Sequence, residues 1–193
     1  MQNTFLSRAL VALSCLSLVA TVAAEELIEE IVVTADFRER SITELPASVS
    51  VIDEDFIRGA SVQHFEELVF TVPNLNWSGD GHRARYFQIR GVGELEQYQG
   101  APNPSVGFLV DDIDFSGIGT VATLFDVESV EVLRGSQGSR YGANALGGLI
   151  YVRGAEPSAE RDGRLRLTVG DDDARALGLA FGGALDEREE LLF

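Results

Sequence analysis

The sequence predicts an α+β fold: a small mixed sheet with a few short helices, followed by the opening strands of a transmembrane β-barrel. Three observations carry this expectation. Short strand-like and helix-like runs alternate irregularly between residues 41 and 155, with no internal repeat. Beyond them, two runs alternate apolar with small or polar residues around an acidic turn, the signature of membrane barrel strands. The chain also opens with an export-type leader.

In that leader Arg8 precedes an apolar run from Ala9 to Ala20, then Thr21-Val22-Ala23-Ala24 and the acidic pair Glu25-Glu26. A basic residue, a short apolar stretch and small residues before a polar start describe a secretory signal peptide over 1–24, with cleavage expected after Ala24. The run is short for a transmembrane helix, and an uncleaved anchor is the alternative. Ala12-Leu13-Ser14-Cys15 also fits a lipoprotein cleavage site, but the apolar stretch continues past it. Cleavage after Ala24 removes Cys15, the single cysteine, and with it any disulfide framework or thiolate metal site.

The charge of −16 opposes nucleic-acid binding, because phosphates require a basic face. All 15 basic residues are Arg. Without lysine there is no Schiff-base, P-loop or kinase-type chemistry.

Residues 25–40 read as a flexible acidic segment around Ile31-Val32-Val33, whose β-branched side chains favour extended backbone with no hairpin turn nearby to pair them. The compact domain spans 41–155. Val49 and Val51 alternate within a strand over 47–52, and Asp53 is placed to cap a short helix through Arg58 that Gly59 ends. Ser61 is placed to cap a second helix, with Phe65, Leu68 and Val69 on one face and Pro73 closing it. Residues 74–83 read as a polar loop, 86–90 as a strand ending at Gly91-Val92-Gly93, and 94–104 as another loop. A strand over 106–110 turns at Asp111-Asp112, a short helix is expected over 121–125, and a strand over 127–133. The glycine-rich stretch 135–148 precedes a strand over 149–153.

Residues 156–193 behave differently. Leu165, Leu167 and Val169 alternate with Arg164, Arg166 and Thr168, and after Gly170-Asp171-Asp172-Asp173, Leu177, Leu179 and Phe181 alternate with Gly178, Ala180 and Gly182. Alone, this pattern also fits a half-exposed hairpin of a soluble sheet.

Several stretches together resemble one family. Glu29-Glu30-Ile31-Val32-Val33-Thr34-Ala35 is similar to a TonB box, Leu45-Pro46-Ala47-Ser48-Val49-Ser50-Val51-Ile52 to a first plug strand, and Val72-Pro73-Asn74-Leu75 to the end of a plug helix. Arg90-Gly91-Val92 and Val110-Asp111-Asp112-Ile113 follow in order. The most specific stretch runs from Phe125 through Glu131-Val132-Leu133-Arg134-Gly135, continued by Gln137-Gly138 and by Tyr141 to Gly148. The chain resembles the TonB-dependent outer-membrane receptors: signal peptide, coupling peptide, plug domain and about two barrel strands. Ser136 stands where the family usually has proline, and Arg140 where an apolar residue is commoner.

The resemblance implies a cell outer membrane location, or a periplasmic one if the shortened chain is the real product. It implies a transport function, the gated uptake of a scarce nutrient of the siderophore-iron, cobalamin or carbohydrate class. Its partners are a TonB-like energy-transducing protein with its inner-membrane motor, outer-membrane lipid around the barrel, and a small-molecule cargo. Residues 29–35, that is Glu29, Glu30, Ile31, Val32, Val33, Thr34 and Ala35, are the expected partner-binding strand. His82, Arg83, Arg85, Glu94, Glu96 and Tyr98 are candidate cargo contacts on two outward loops. Glu131 and Arg134 are candidate contacts to the barrel wall. A plugged barrel of about 22 strands needs over ~200 residues, and 30 follow Gly163. The expectation is therefore a fragment or a truncated reading frame.

No cofactor, metal site or catalytic set is expected. The glycines over 135–148 lack the lysine of a phosphate loop, and Asp112, Asp114, Ser116 and Gly117 imitate a calcium loop whose twelfth position is Thr123 instead of Glu. Two alternatives stay open: a free periplasmic plug-like interaction module, or a non-functional truncated product. A small secreted hydrolase is a third, and it lacks a nucleophile or carboxylate pair.

Overall fold

The computed structural model describes residues 32–33, 40–41, 47–79, 83–96, 103–118 and 123–185. The expected signal peptide over 1–24 and most of the 25–40 segment lie outside the described residues. Within that segment, β1 (Val32–Val33) pairs antiparallel with β2 (Arg40–Ser41), so the β-branched run does find a partner.

The central sheet grows from β-branched runs. It comprises β3 (Ser48–Asp53), β6 (Val106–Val110), β7 (Ile113–Asp114), β8 (Val127–Arg134) and β9 (Gly148–Gly154), in spatial order β3-β8-β9-β6-β7. Neighbours run antiparallel except β6 and β9, which are parallel, so the sheet is mixed. Val110 and Ile113 pair across a two-residue turn in which Asp111 (φ 47°) and Asp112 (φ 67°) are both left-handed, the geometry of a type I′ hairpin.

Strand periodicity distributes β8 between two cores. Val130 and Val132 face the larger cluster with Ile52, Ile57, Phe65, Leu68, Phe87, Phe108 and Ile150. Leu133 joins Leu109, Ala145, Leu149 and Tyr151 on the other face. Phe65 sits edge-on to Phe87 and to Phe108, with centroids 5.2 and 5.4 Å away. Gly148 lets β9 approach β8 closely: at φ 158° a Cβ there would stand 2.6 Å from the Leu133 carbonyl oxygen.

Helix α1 (Glu54–Gly59) is capped as expected, the Asp53 carboxylate accepting the Phe56 N–H at 2.7 Å. The second helical segment departs from expectation. It is a 3-10 helix, Phe65–Thr71, starting after His64 and not at Ser61. Ser61 is left-handed (φ 55°), whereas an N-cap needs extended backbone, and Glu67 instead reaches back to the N–H groups of Gln63 and His64.

Two further corrections come from long-range pairing. Residues read as a polar loop contain β4 (Leu75–Ser78), which pairs with β5 (Tyr86–Ile89) and buries Leu75 against the core. The helix expected over 121–125 is absent from its described part, 123–125: Thr123 bridges His64, the Leu124 N–H donates to the Gln63 carbonyl at 2.9 Å, and Phe125 begins a turn. The glycine-rich stretch holds a short helix α2 (Gly138–Tyr141) and a 3-10 turn, Gly142–Ala145.

The last described elements, β10 (Asp162–Val169) and β11 (Arg175–Gly182), pair antiparallel with Leu165 opposite Leu179 and Leu167 opposite Leu177. Their large apolar residues are 64–82% exposed, while Arg164, Arg166, Gly178 and Ala180 occupy the other, half-covered face. The predicted apolar/polar alternation is thus a physical two-sidedness.

Phe65, fully enclosed at the centre of the aromatic group, is the position at which truncation is most damaging. Phe65→Ala is expected to destabilise the domain by about 3–5 kcal/mol. The check is a urea midpoint followed by emission of Trp77, with an unchanged slope.

Candidate functional site

Three groups of expected site residues take shape. Of the expected partner-binding strand 29–35, Val32 and Val33 form β1, with Val33 buried, whereas Glu29, Glu30, Ile31, Thr34 and Ala35 lie outside the described residues.

The two candidate cargo loops are held at their roots by three of the six residues nominated to touch cargo, Arg83, Arg85 and Glu94. Arg83 forms an ion pair with Glu66 at 3.0 Å and lies 2.7 Å from His64 Nε2. Arg85 donates through Nε to the Gly117 carbonyl at 3.2 Å and lies over the Tyr86 ring. Glu94 accepts the Ser105 N–H at 2.7 Å and the Ser105 hydroxyl at 2.6 Å, which ties the two ends of the second loop together. Its backbone carbonyl accepts from Ser78 and from the buried Gln88 side chain. Glu96 is exposed, and His82 and Tyr98 lie outside the described residues. Sequence reasoning missed His64, Glu66, Gln88 and Ser105, because each acquires its role from a partner on another element.

Glu131 and Arg134 leave β8 in different surroundings. Glu131 is 1% exposed, opposite Val51 and Tyr151 in the ladder. Arg134 donates through Nε to the Ser48 hydroxyl at 3.0 Å, and its buried Nη1 has no hydrogen-bond partner among the described residues. Burial, and then the like charge of Arg90, holds the Arg134 guanidinium below its usual range.

The comparisons with known proteins decide the family. The sequence model of the TonB-dependent Receptor Plug Domain matches residues 41–149. The chain belongs to the TonB-dependent receptor plug family. It is 31% identical over 146 residues to the pesticin receptor of Yersinia pestis, covering 75% of this chain and 21% of that protein. It is 27% identical over 189 residues to the vitamin B12 transporter BtuB of Photobacterium profundum, covering 97% of this chain and 30% of that protein. Among solved structures, the ferric yersiniabactin uptake receptor FyuA from Yersinia pestis matches with a TM-score of 0.63 at 29% identity, over 73% of this chain and 22% of that one. The ferripyoverdine receptor of Pseudomonas aeruginosa shares the fold, with a TM-score of 0.67 at 20% identity, over 84% of this chain and 21% of that one. The relatives are receptors and transporters by name, in keeping with a chain that is not an enzyme.

On the plug's smaller core, Asp112 accepts the Tyr151 hydroxyl at 3.0 Å, and Asp114 accepts the Ser116 N–H at 2.8 Å and the Asn144 amide at 2.6 Å. The calcium-like carboxylates are therefore occupied by protein donors, and no group of three ligating side chains gathers among the described residues. Burial pushes the Asp114 carboxyl up, but the hydrogen bonds from Ser116 and Asn144 outweigh it and leave it below its usual range. Burial first, and then the charges of Asp112 and Glu131, push the Tyr141 phenol up to about 12, with Arg140 acting in the opposite sense. Burial and the Asp112 hydrogen bond raise Tyr151 likewise.

A phenol with a raised pKa stays protonated in the plug while the unfolded chain's phenol ionises. The stabilisation it reports is intact below pH ~10 and disappears as the pH climbs through about 12. The urea midpoint is expected to fall across that window together with the rise of tyrosinate absorbance. Tyr141→Phe should make the fall shallower, and an unchanged slope would count against the assignment.

Proposed function

We propose that this chain is the energy-coupled gate of an outer-membrane import receptor, whose plug blocks a barrel begun by β10 and β11. The observation that carries the reading is the junction itself. A mixed plug sheet whose central strands β6, β8 and β9 bury their apolar residues is followed within eight residues of Gly154 by a hairpin with its apolar residues exposed. In lipid such a face is at home, whereas in water six large exposed apolar side chains form an association-prone patch. In this reading β10 and β11 are the spanning strands; among the described residues no helix is long and apolar enough to cross a membrane.

In this mechanism residues 29–35 are the handle. An extended, β-branched strand adds to the edge of a partner's sheet, with backbone hydrogen bonds supplying affinity and Glu29 and Glu30 steering a basic surface. The partner is a TonB-like periplasmic protein driven from the inner membrane. In this chain Val32 and Val33 are already paired with Ser41 and Arg40, so the partner exchanges one strand pairing for another. Two ladder pairs are a small barrier, compatible with a handle that must be released. The plug answers the pull as a mixed sheet whose outward loops are tied at Glu94 and Arg83.

Cargo of the siderophore-iron, cobalamin or carbohydrate class would meet those loops. The relatives that support the class are a pesticin receptor, vitamin B12 transporters and a ferric yersiniabactin receptor. The chain spans only 20–30% of their lengths, and the barrel loops that complete selectivity belong to the rest.

Titration of the exported chain with the periplasmic domain of a TonB-like protein tests the handle. Val33→Pro removes a strand N–H and should weaken binding about five- to thirtyfold, the effect of losing about one to two kcal/mol of backbone pairing. Equal affinity for the two chains would overturn the reading.

A further inference from the structure

The hairpin does not merely follow the plug; it is seated on it. The turn Phe125–Asp126 presents two side chains to β10 and β11, on a backbone that is left-handed at Asp126 (φ 61°) and held by its carbonyl accepting the Ala155 N–H at 3.0 Å. The Phe125 ring fills the place of a side chain at Gly178: a Cβ there would stand 2.6–2.9 Å from three ring carbons. Arg166 covers the same ring, its guanidinium carbon 5.5 Å from the centroid. Beside this notch Arg164 Nη1 bridges Glu54 at 2.8 Å and Asp126 at 2.9 Å. Arg164 and Asp126 line both of two neighbouring clefts between hairpin and plug, of about 200 and 280 Å³. The bridge therefore partitions the seam.

We propose that the Phe125–Asp126 turn with Glu54 is the surface by which the plug docks the first wall hairpin, and that the Phe125–Gly178 notch, not the ion pairs, sets the docking. It rests on the reading of β10 and β11 as the start of the wall. The ion-pair side chains are each about a third exposed, where solvent screening leaves such pairs worth little. A ring against a glycine is a shape contact that any added side chain destroys. Glycine at 178 thus has a reason beyond backbone freedom. It is the only residue type that leaves room for the ring, and its neighbours Leu177 and Leu179 point outward on the exposed face.

The test uses the full chain in detergent with Cys15→Ser, Glu54→Cys and Arg164→Cys, which deletes the ion pairs and leaves the notch. A short bismaleimide should crosslink the two new thiols. Adding Gly178→Val should lower the yield at least about fivefold, the low end of what overpacking a contact costs. Adding Phe125→Ala to that variant should restore the yield by returning the space, a rescue that a misfolded protein would not show. Leu179→Ala, on the outward face, should leave the crosslink unchanged. No crosslink in the starting variant, a yield indifferent to Gly178→Val, or a loss that Phe125→Ala does not reverse would each overturn the proposal. The readout involves neither uptake nor a TonB-like partner. Its failure would leave the proposed function standing with the hairpin docked elsewhere, and failure of the partner titration would leave the crosslink intact.

Discussion

The two-sided burial of β8 is the constraint from which the rest of the plug follows. Its side chains alternate between two cores, Val130 and Val132 toward the aromatic group and Leu133 toward Leu149 and Tyr151. Because a strand has a period of two, a slip of one residue would drive Glu131 into the aromatic core and move both valines out of it. Register is therefore specified by charge as well as by volume. The strand order follows, with β3 and β9 on either side of β8, and β6 reached by a parallel crossover. The glycine-rich connection before β9 passes close over β6, where a Cβ at Gly107 would stand 2.9 Å from the Asn144 carbonyl oxygen.

The hairpin obeys the opposite rule. The plug's central strands β6, β8 and β9 bury apolar residues on both faces of one sheet, whereas β10 and β11 display theirs on one face and offer glycine, alanine and arginine to the plug. The two parts meet through a ring seated against a glycine, which sets their position, and an arginine shared by two carboxylates, which adds little. For the proposed gate, which yields under load, such a seam serves better than a continuous apolar interface, because part-exposed pairs are individually weak. The same economy marks the two polar loops, whose roots are tied by Glu94 to Ser105 and by Arg83 to Glu66.

The readable elements share one property: their signal is local. The Asp53 cap, the strands around Val106–Val110, Val127–Arg134 and Gly148–Gly154, and the alternation of the hairpin are set by neighbours a few residues away. The misread elements depend on distant partners. Leu75–Ser78 carries too many polar residues to announce a strand, yet pairing with Tyr86–Ile89 makes it one. Ser61 has the chemistry of a cap but a left-handed backbone, and Thr123 is drawn out of a helical reading by its bridge to His64. The candidate site divides the same way. Arg83, Arg85 and Glu94 were legible as polar loop residues, but Ser105, Gly117 and Glu66, which occupy their side chains, were not.

By itself the amino-acid sequence determined the class of fold, the order of most strands, the two-sided character of the hairpin and the resemblance to a plug, because these rest on periodicity, turn chemistry and short motifs. Only the tertiary structure decided that Glu131 is buried, that Arg83, Arg85 and Glu94 anchor the roots of their loops, and that Arg164 meets Glu54 across 110 positions of chain. The physical reason is that burial and ion pairing are properties of a location in space. No window of sequence contains both partners of a contact that folding alone brings together.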